Sequence, residues 1–99
     1  MLHGYKLIIQ LDTSLSNNWK INWNQMLNID HSTNITVTQV AFASSFSSKV
    51  YALTLSNPPT AHHYGQASNI TKTGFELWTS RPSGATALQF DYYSIVIGT

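Results

Sequence analysis

Leu88-Gln89-Phe90-Asp91-Tyr92-Tyr93-Ser94-Ile95-Val96-Ile97 is the stretch that decides the architecture. In an extended chain, alternate side chains point to opposite faces. Phe90, Tyr92 and Val96 then share one face, and Tyr93, Ile95 and Ile97 share the other. A strand that is apolar on both faces lies inside a sandwich or in a subunit interface. Upstream, Tyr5, Leu7, Ile9 and Leu11 alternate with Lys6, Ile8, Gln10 and Asp12, which predicts a half-buried strand ending in the turn Asp12-Thr13-Ser14. Trp19, Ile21 and Trp23 alternate with Lys20, Asn22 and Asn24. Trp19, Trp23, Met26 and Leu27 also fit helical spacing, but Asn at 17, 18, 22, 24 and 28 is poor helix material and tips the reading to a strand. Residues 35–42 and 49–55 read as further strands, and Asn57-Pro58-Pro59-Thr60 breaks any ladder. Residues 67–72 and 75–79 read as two strands turning near Thr73-Gly74, followed by the loop Arg81-Pro82-Ser83-Gly84. About six to seven short strands with turn signals at this spacing predict an all-β fold, an antiparallel β-sandwich.

Ninety-nine residues are expected to form one domain, 1–99, in which residues 1–18 are a possible extra N-terminal strand. A chain this short buries only about two-thirds of the surface it exposes when unfolded, so its core is thin. Ser, Thr and Asn supply 31 residues while only 9% of the chain is charged, a composition that favours turns and pleated surfaces over helices. The net charge of +1 is too small for a surface that tracks phosphates, which argues against nucleic-acid binding. Without cysteine there is no disulfide framework and no thiolate zinc site, and the redox compartment stays open. The longest apolar stretches are far short of a membrane span, so no membrane insertion is expected. Met1-Leu2-His3-Gly4 carries no signal-peptide pattern.

Catalytic patterns are missing: there is no glycine-rich phosphate loop, no Gly-x-Ser-x-Gly elbow and no His-Glu-x-x-His helix. The carboxylates are Asp12, Asp30, Glu76 and Asp91. If the strands around Glu76 and Asp91 paired as a hairpin, those two groups would lie almost opposite each other, as a glycosidase requires. Two solvated strand positions are the plainer reading, and no enzyme and no cofactor are expected. Adjacent histidines on a strand point to opposite faces, so His62 and His63 would hold one metal only from a loop or around a three-fold axis. Surface histidines are the plainer reading there, and no metal is expected. Asn34-Ile35-Thr36 and Asn69-Ile70-Thr71 fit the glycosylation sequon, which recurs by chance in so Asn- and Thr-rich a chain. Twelve per cent of the chain is aromatic, more than a thin core needs. Sugar rings stack on Trp or Tyr while amides, carboxylates and Arg bond their hydroxyls, so this inventory fits carbohydrate recognition. Against it stands core packing for Trp19, Trp23 and Trp78. Tyr64, beside His62 and His63, and Arg81 in its Pro/Gly loop are expected to be exposed.

Several segments carry a resemblance. Trp19-Lys20-Ile21-Asn22-Trp23-Asn24 resembles the Leu-Lys-Ile-Gln-Trp-Gly opening strand of the C-terminal domains of phage tail-fibre proteins. Val37-Thr38-Gln39-Val40-Ala41-Phe42-Ala43-Ser44-Ser45-Phe46 resembles the Phe-containing segment that follows in that family, with Phe42-Ala43 where Phe-Pro is usual. Lys49-Val50-Tyr51-Ala52-Leu53-Thr54-Leu55 resembles the next strand, and Asn69-Ile70-Thr71-Lys72-Thr73-Gly74-Phe75 its Thr-Gly-Phe turn. Tyr92-Tyr93-Ser94-Ile95-Val96-Ile97-Gly98 resembles the terminal Trp-Ile-Ala-Ile-Gly strand, and the chain stops one residue later, as such fibres do. The resemblance covers residues 19–99. The latter half is also similar to the H-type lectin domain, a six-stranded sandwich that forms trimers and binds N-acetylgalactosamine-type sugars. Where those lectins carry a sugar-contacting Arg, this chain has His62-His63-Tyr64-Gly65-Gln66, so the lectin's own site does not carry over.

The tail-fibre resemblance implies a receptor-binding tip on a phage virion, a parallel homotrimer joined to an upstream tail-fibre shaft, with Met1 read as the start of a piece cut from a longer fibre. It implies non-catalytic recognition of a host cell-surface glycan or an outer-membrane protein, strengthened by avidity across the trimer. His62, His63, Tyr64, Trp78 and Arg81 are the candidate contact residues. The alternative is a free-standing H-type-like sugar-binding lectin. A capping or trimerisation module without a receptor role explains the same interface, and a glycosidase is the remaining reading.

Overall fold

The computed structural model describes residues 7–31, 34–56, 64–81 and 88–99. Among the described residues there are seven strands: β1 (Leu7–Ser14), β2 (Lys20–His31), β3 (Thr36–Ala41), β4 (Val50–Ser56), β5 (Tyr64–Ser68), β6 (Gly74–Ser80) and β7 (Leu88–Gly98). They form a four-stranded sheet in the order β1-β2-β7-β4 and a three-stranded sheet in the order β3-β6-β5. Every pairing is antiparallel. The two sheets enclose a core of Met26, Ile29, Val40, Phe42, Phe46, Phe75, Leu77, Tyr92 and Val96. This is the antiparallel sandwich that alternation and turn spacing predict. Among the described residues no helix is long and apolar enough to cross a membrane.

Strand placement departs from the sequence reading at two points. The strand expected over 67–72 lies earlier, at β5, and residues 69–73 are the turn into β6. Asn69 takes a left-handed φ of 48°, and Thr71 N–H donates to Gly74 O, which closes that turn. Asn tolerates the left-handed region better than other non-glycine residues, so the turn forms there rather than at Thr73-Gly74. The same tolerance serves the β1–β2 connection, where Asn17 and Asn18 both have positive φ. Second, β6 and β7 lie in different sheets, so Glu76 and Asp91 do not face each other across a hairpin. The glycosidase geometry is therefore not formed by that pair.

The inward face of β2 carries Asn22, Asn24 and Met26, while Ile21, Trp23, Gln25 and Leu27 alternate outward. Buried amides must be hydrogen-bonded to be tolerated. Asn22 Nδ2 donates to Asp12 Oδ1 at 2.6 Å, and Asn24 Nδ2 donates to Asn22 Oδ1 at 2.7 Å and Ser94 Oγ at 2.9 Å. Ser44 Oγ donates to Asp12 Oδ2 at 2.7 Å, and Lys20 Nζ donates to Ser44 O and Ser45 O. The ladder thus joins β1, β2, β7 and the segment after β3. Partial burial raises the Asp12 pKa, but the bonds from Asn22 and Ser44 and the Lys20 charge outweigh it and hold the carboxyl below its ordinary value. None of Trp19, Trp23 and Trp78 is a core residue; all three are half-buried.

The 42–49 segment closes one end of the sandwich. Phe42 and Phe46 meet edge-on with ring centroids 5.3 Å apart, and each buried ring contributes roughly 1.5–3 kcal/mol. Phe42 N–H donates to Thr73 O and Phe46 N–H to Lys72 O, tying the segment to the β5–β6 turn. Tyr92 spans the sandwich toward Gly65, where a Cβ would come within 2.5 Å of its hydroxyl oxygen. Burial pushes the Tyr92 phenol up to about 12.

Strand direction gives the domain two distinct ends. One end holds the start of β1, the end of β2, Tyr64 and Arg81. The other holds the 15–19, 42–49 and 69–73 connections and the end of β7. The outer faces of the two sheets also differ. The four-stranded sheet turns Ile9, Leu11, Tyr93 and Ile95 to solvent, with half-buried Ile21, Trp23 and Ile97 between them. The three-stranded sheet presents a mixed outer face, where Val37, Tyr64 and Trp78 stand among Gln39, Gln66 and Glu76.

Candidate functional site

That mixed face is written in the alternation of β6. Phe75, Leu77 and Thr79 are buried, which leaves Glu76, Trp78 and Ser80 outward. On β3, Gln39 lies opposite Glu76 and Val37 opposite Trp78. On β5, Ser68 lies opposite Glu76, Gln66 opposite Trp78 and Tyr64 opposite Ser80. Residues directly opposite in antiparallel strands share a face, so two aromatic rings, two amides and one carboxylate converge there.

Glu76 is the hub. Gln39 Nε2 donates to its Oε2 at 3.1 Å, while Asn69 Nδ2 and Trp78 Nε1 donate to its Oε1, the latter at 3.0 Å. Three donors favour the ionised form, so the bond from Gln39, then those from Trp78 and Asn69, lower the Glu76 pKa below 4.5. Beside it lies a groove of about 310 Å³ lined by Gln39, Ala41, Asn69, Thr71, Thr73 and Glu76. Tyr64 Oη donates to Gln66 Oε1, which orients the phenol on the sheet surface. A planar indole and phenol flanked by amide and carboxylate groups can stack on a ring and bond its hydroxyls at once.

The hub makes its own prediction. A carboxylate whose folded pKa is depressed contributes stability above its unfolded value, and this is lost as pH falls through the folded value. In a carbon-13 NMR titration the Glu76 carboxyl is therefore expected to titrate below 4.5, with the Trp78 indole N–H moving at the same midpoint. Gln39→Ala should raise that midpoint. A Glu76 midpoint at the ordinary value, or an indole that does not follow it, would remove the hub.

Of the residues named from sequence, Tyr64 and Trp78 are brought onto this one face, Tyr64 exposed and Trp78 half-buried. Arg81 follows β6 and is half-buried rather than exposed; its Nε and Nη1 are buried and have no hydrogen-bond partner among the described residues. His62 and His63 lie outside the described residues. Sequence reasoning missed Gln39, Gln66 and Asn69, and read Glu76 as half of a carboxylate pair. The period-2 pattern of residues 75–79 already puts Glu76 beside Trp78; nothing local announces Gln39, which arrives from 37 residues away. Among the described residues no three His, Asp or Glu side chains gather as a metal site.

No protein-family model matches the chain, and no curated protein matches it in sequence. Two solved structures are similar in fold. One is an N-truncated R1-type pyocin tail fibre, 17% identical with a TM-score of 0.66, covering 90% of this chain and 86% of that one. The other is a P. aeruginosa R1 pyocin fibre comprising C-terminal residues 323–701, also 17% identical with a TM-score of 0.66. It covers 92% of this chain, which spans 28% of that fragment. Neither is an H-type lectin. The seven-stranded two-sheet sandwich is thus a fold shared with pyocin tail fibres.

Proposed function

We propose that this domain is the receptor-binding tip of a phage-type tail fibre, carried on the virion and acting without catalysis. The observation that carries the reading is the chemical opposition of its two outer faces. The apolar face of the four-stranded sheet fits burial against two further copies of the chain in a parallel homotrimer, because exposed apolar patches of this kind mark association surfaces. The aromatic and amide face of the three-stranded sheet then points outward and meets the host, at a cell-surface glycan or an outer-membrane protein. The likeness of fold to pyocin tail fibres supports the same assignment. The reading includes an upstream tail-fibre shaft. Three modest sites held together raise overall avidity well above that of one.

The contacts are assigned to Tyr64 and Trp78, together with His62, His63 and Arg81. A Tyr64→Ala, Trp78→Ala double variant is expected to attach to host cells at least about thirtyfold more weakly per site, the size of a lost aromatic hot spot. Its circular dichroism and solution mass should match those of the parent. Attachment at the parent level by a folded double variant removes the assignment.

A further inference from the structure

We propose that a cleft at the end of the sandwich remote from the start of β1 binds the anionic group, a phosphate or a carboxylate, of a surface saccharide. This rests on the receptor-binding reading and names the ligand chemistry of a second contact, which adjoins the groove beside Glu76 at Thr71. The cleft has a volume of about 540 Å³ and lies between the start of β4 and the β5–β6 turn. Ser48, Lys49, Tyr51, Ile70, Thr71 and Lys72 line it, and no acidic residue does. The whole chain has only five Lys and Arg, so two of them in one cleft is a strong local concentration of charge. Among the described residues neither ammonium has a carboxylate partner. The Lys49 ammonium instead sits 5.0 Å from the centroid of the Tyr51 ring. A cation placed over an aromatic face is held by the ring quadrupole without being neutralised.

A second, independent feature is the way Tyr51 is presented. Val50 pairs with Gly98 and Ala52 with Ile97, so Tyr51 is the extra residue of a β-bulge on an edge strand. Bulges re-aim a side chain and are over-represented at sheet edges and binding sites. The re-aimed phenol is 54% exposed, yet its ring is steadied by Trp19 at 4.9 Å between centroids. The cleft therefore offers two cations for an anion and hydroxyls from Ser48 and Thr71, with the Tyr51 ring holding the Lys49 ammonium in place.

The test is a nitrogen-15 NMR titration of the purified chain with glucose 6-phosphate, glucuronic acid and glucose. Shifts concentrated at residues 48–53 and 70–72 are expected with the phosphate ester, the uronic acid or both, and none with glucose. Whichever acid binds identifies the source of the anion. Lys49→Gln with Lys72→Gln should weaken that binding at least about tenfold while the remaining amide spectrum stays that of the folded chain. Shifts scattered over the surface, equal response to glucose, or undiminished binding by the double variant overturn the proposal. Attachment to host cells separates the two readings. A parent chain that attaches to cells but binds neither acid loses the cleft and keeps the receptor role. A parent that binds an acid at the cleft and attaches to no host strain loses the receptor role.

Discussion

A single added methyl group at position 98 is expected to lower the thermal midpoint by about 20 °C, or to leave no folded domain. An ideal Cβ on Gly98 comes within 2.2 Å of Lys49 O and 2.9 Å of the Phe46 ring. Neither neighbour is free to retreat. Lys49 O accepts the Thr99 N–H at 2.9 Å, and Thr99 O accepts from Ser48 N–H at 2.7 Å and Lys49 N–H at 3.0 Å. Phe46 is a core residue that packs against Phe42. Relief of the clash must therefore break the β4–β7 register at its end or expel Phe46. Overpacking costs about 1–3 kcal/mol, and a buried group left without its hydrogen bond costs about 1–3 kcal/mol more. Against a total stability of about 5–15 kcal/mol, and less for a thin core, that is most of the margin. Gly98 lies outside the left-handed region, so alanine meets no backbone objection and Gly98→Ala tests the clash alone. A melting midpoint within about 5 °C of the parent would show that the two strands are not locked as described.

Ile95→Lys is expected to have an equally large effect on assembly and almost none on the fold. Ile95 lies opposite Trp23 on β2 and Thr54 on β4, in the middle of the apolar outer face, and is 52% exposed. Its side chain points away from the core that Ser94 and Val96 face. In the proposed trimer the substitution buries one ammonium per copy without a partner, a cost of several kcal/mol each. Sedimentation equilibrium should give three times the 11.0 kDa chain mass for the parent and the single-chain mass for the variant. Attachment to cells should fall by about 10²–10⁴-fold as avidity is lost. A parent that sediments as a monomer at micromolar concentration, or a variant that keeps the trimeric mass, overturns the interface.

Much of the fold was legible in the chain, because period-2 alternation survives in nearly every strand. What alternation cannot say is which of two faces turns inward. In β2 the face with Trp23 lies outside and the face with Asn22 and Asn24 lies within. Hydropathy favours the opposite choice; Asp12 and Ser94 arrive from other strands to take the Asn22 and Asn24 Nδ2 donors, while Asn24 Oδ1 stays without a partner among the described residues. The same limit explains β7. Its two apolar faces were readable, and the structure buries Tyr92 and Val96 while leaving Tyr93 and Ile95 exposed. The β5 displacement follows from the left-handed turn at Asn69, which ends the strand before residues 69–72. For the site, the shared face of Glu76 and Trp78 is local information, whereas the Asn69 donor depends on a left-handed turn that composition does not reveal.

The separation of the two outer faces onto different sheets has an evolutionary consequence. Residues that turn outward on β3, β5 and β6 pack against none of Ile9, Leu11, Trp23, Tyr93 or Ile95, which all belong to the other sheet. Substitutions that retune recognition on one sheet therefore leave the proposed assembly surface on the other untouched. Gln39, Gln66 and Val37 project from ladders whose backbone bonds are indifferent to side-chain identity. A lineage carrying this domain can change what it adheres to by substitutions at those positions while the backbone ladders of the sheet stay in register.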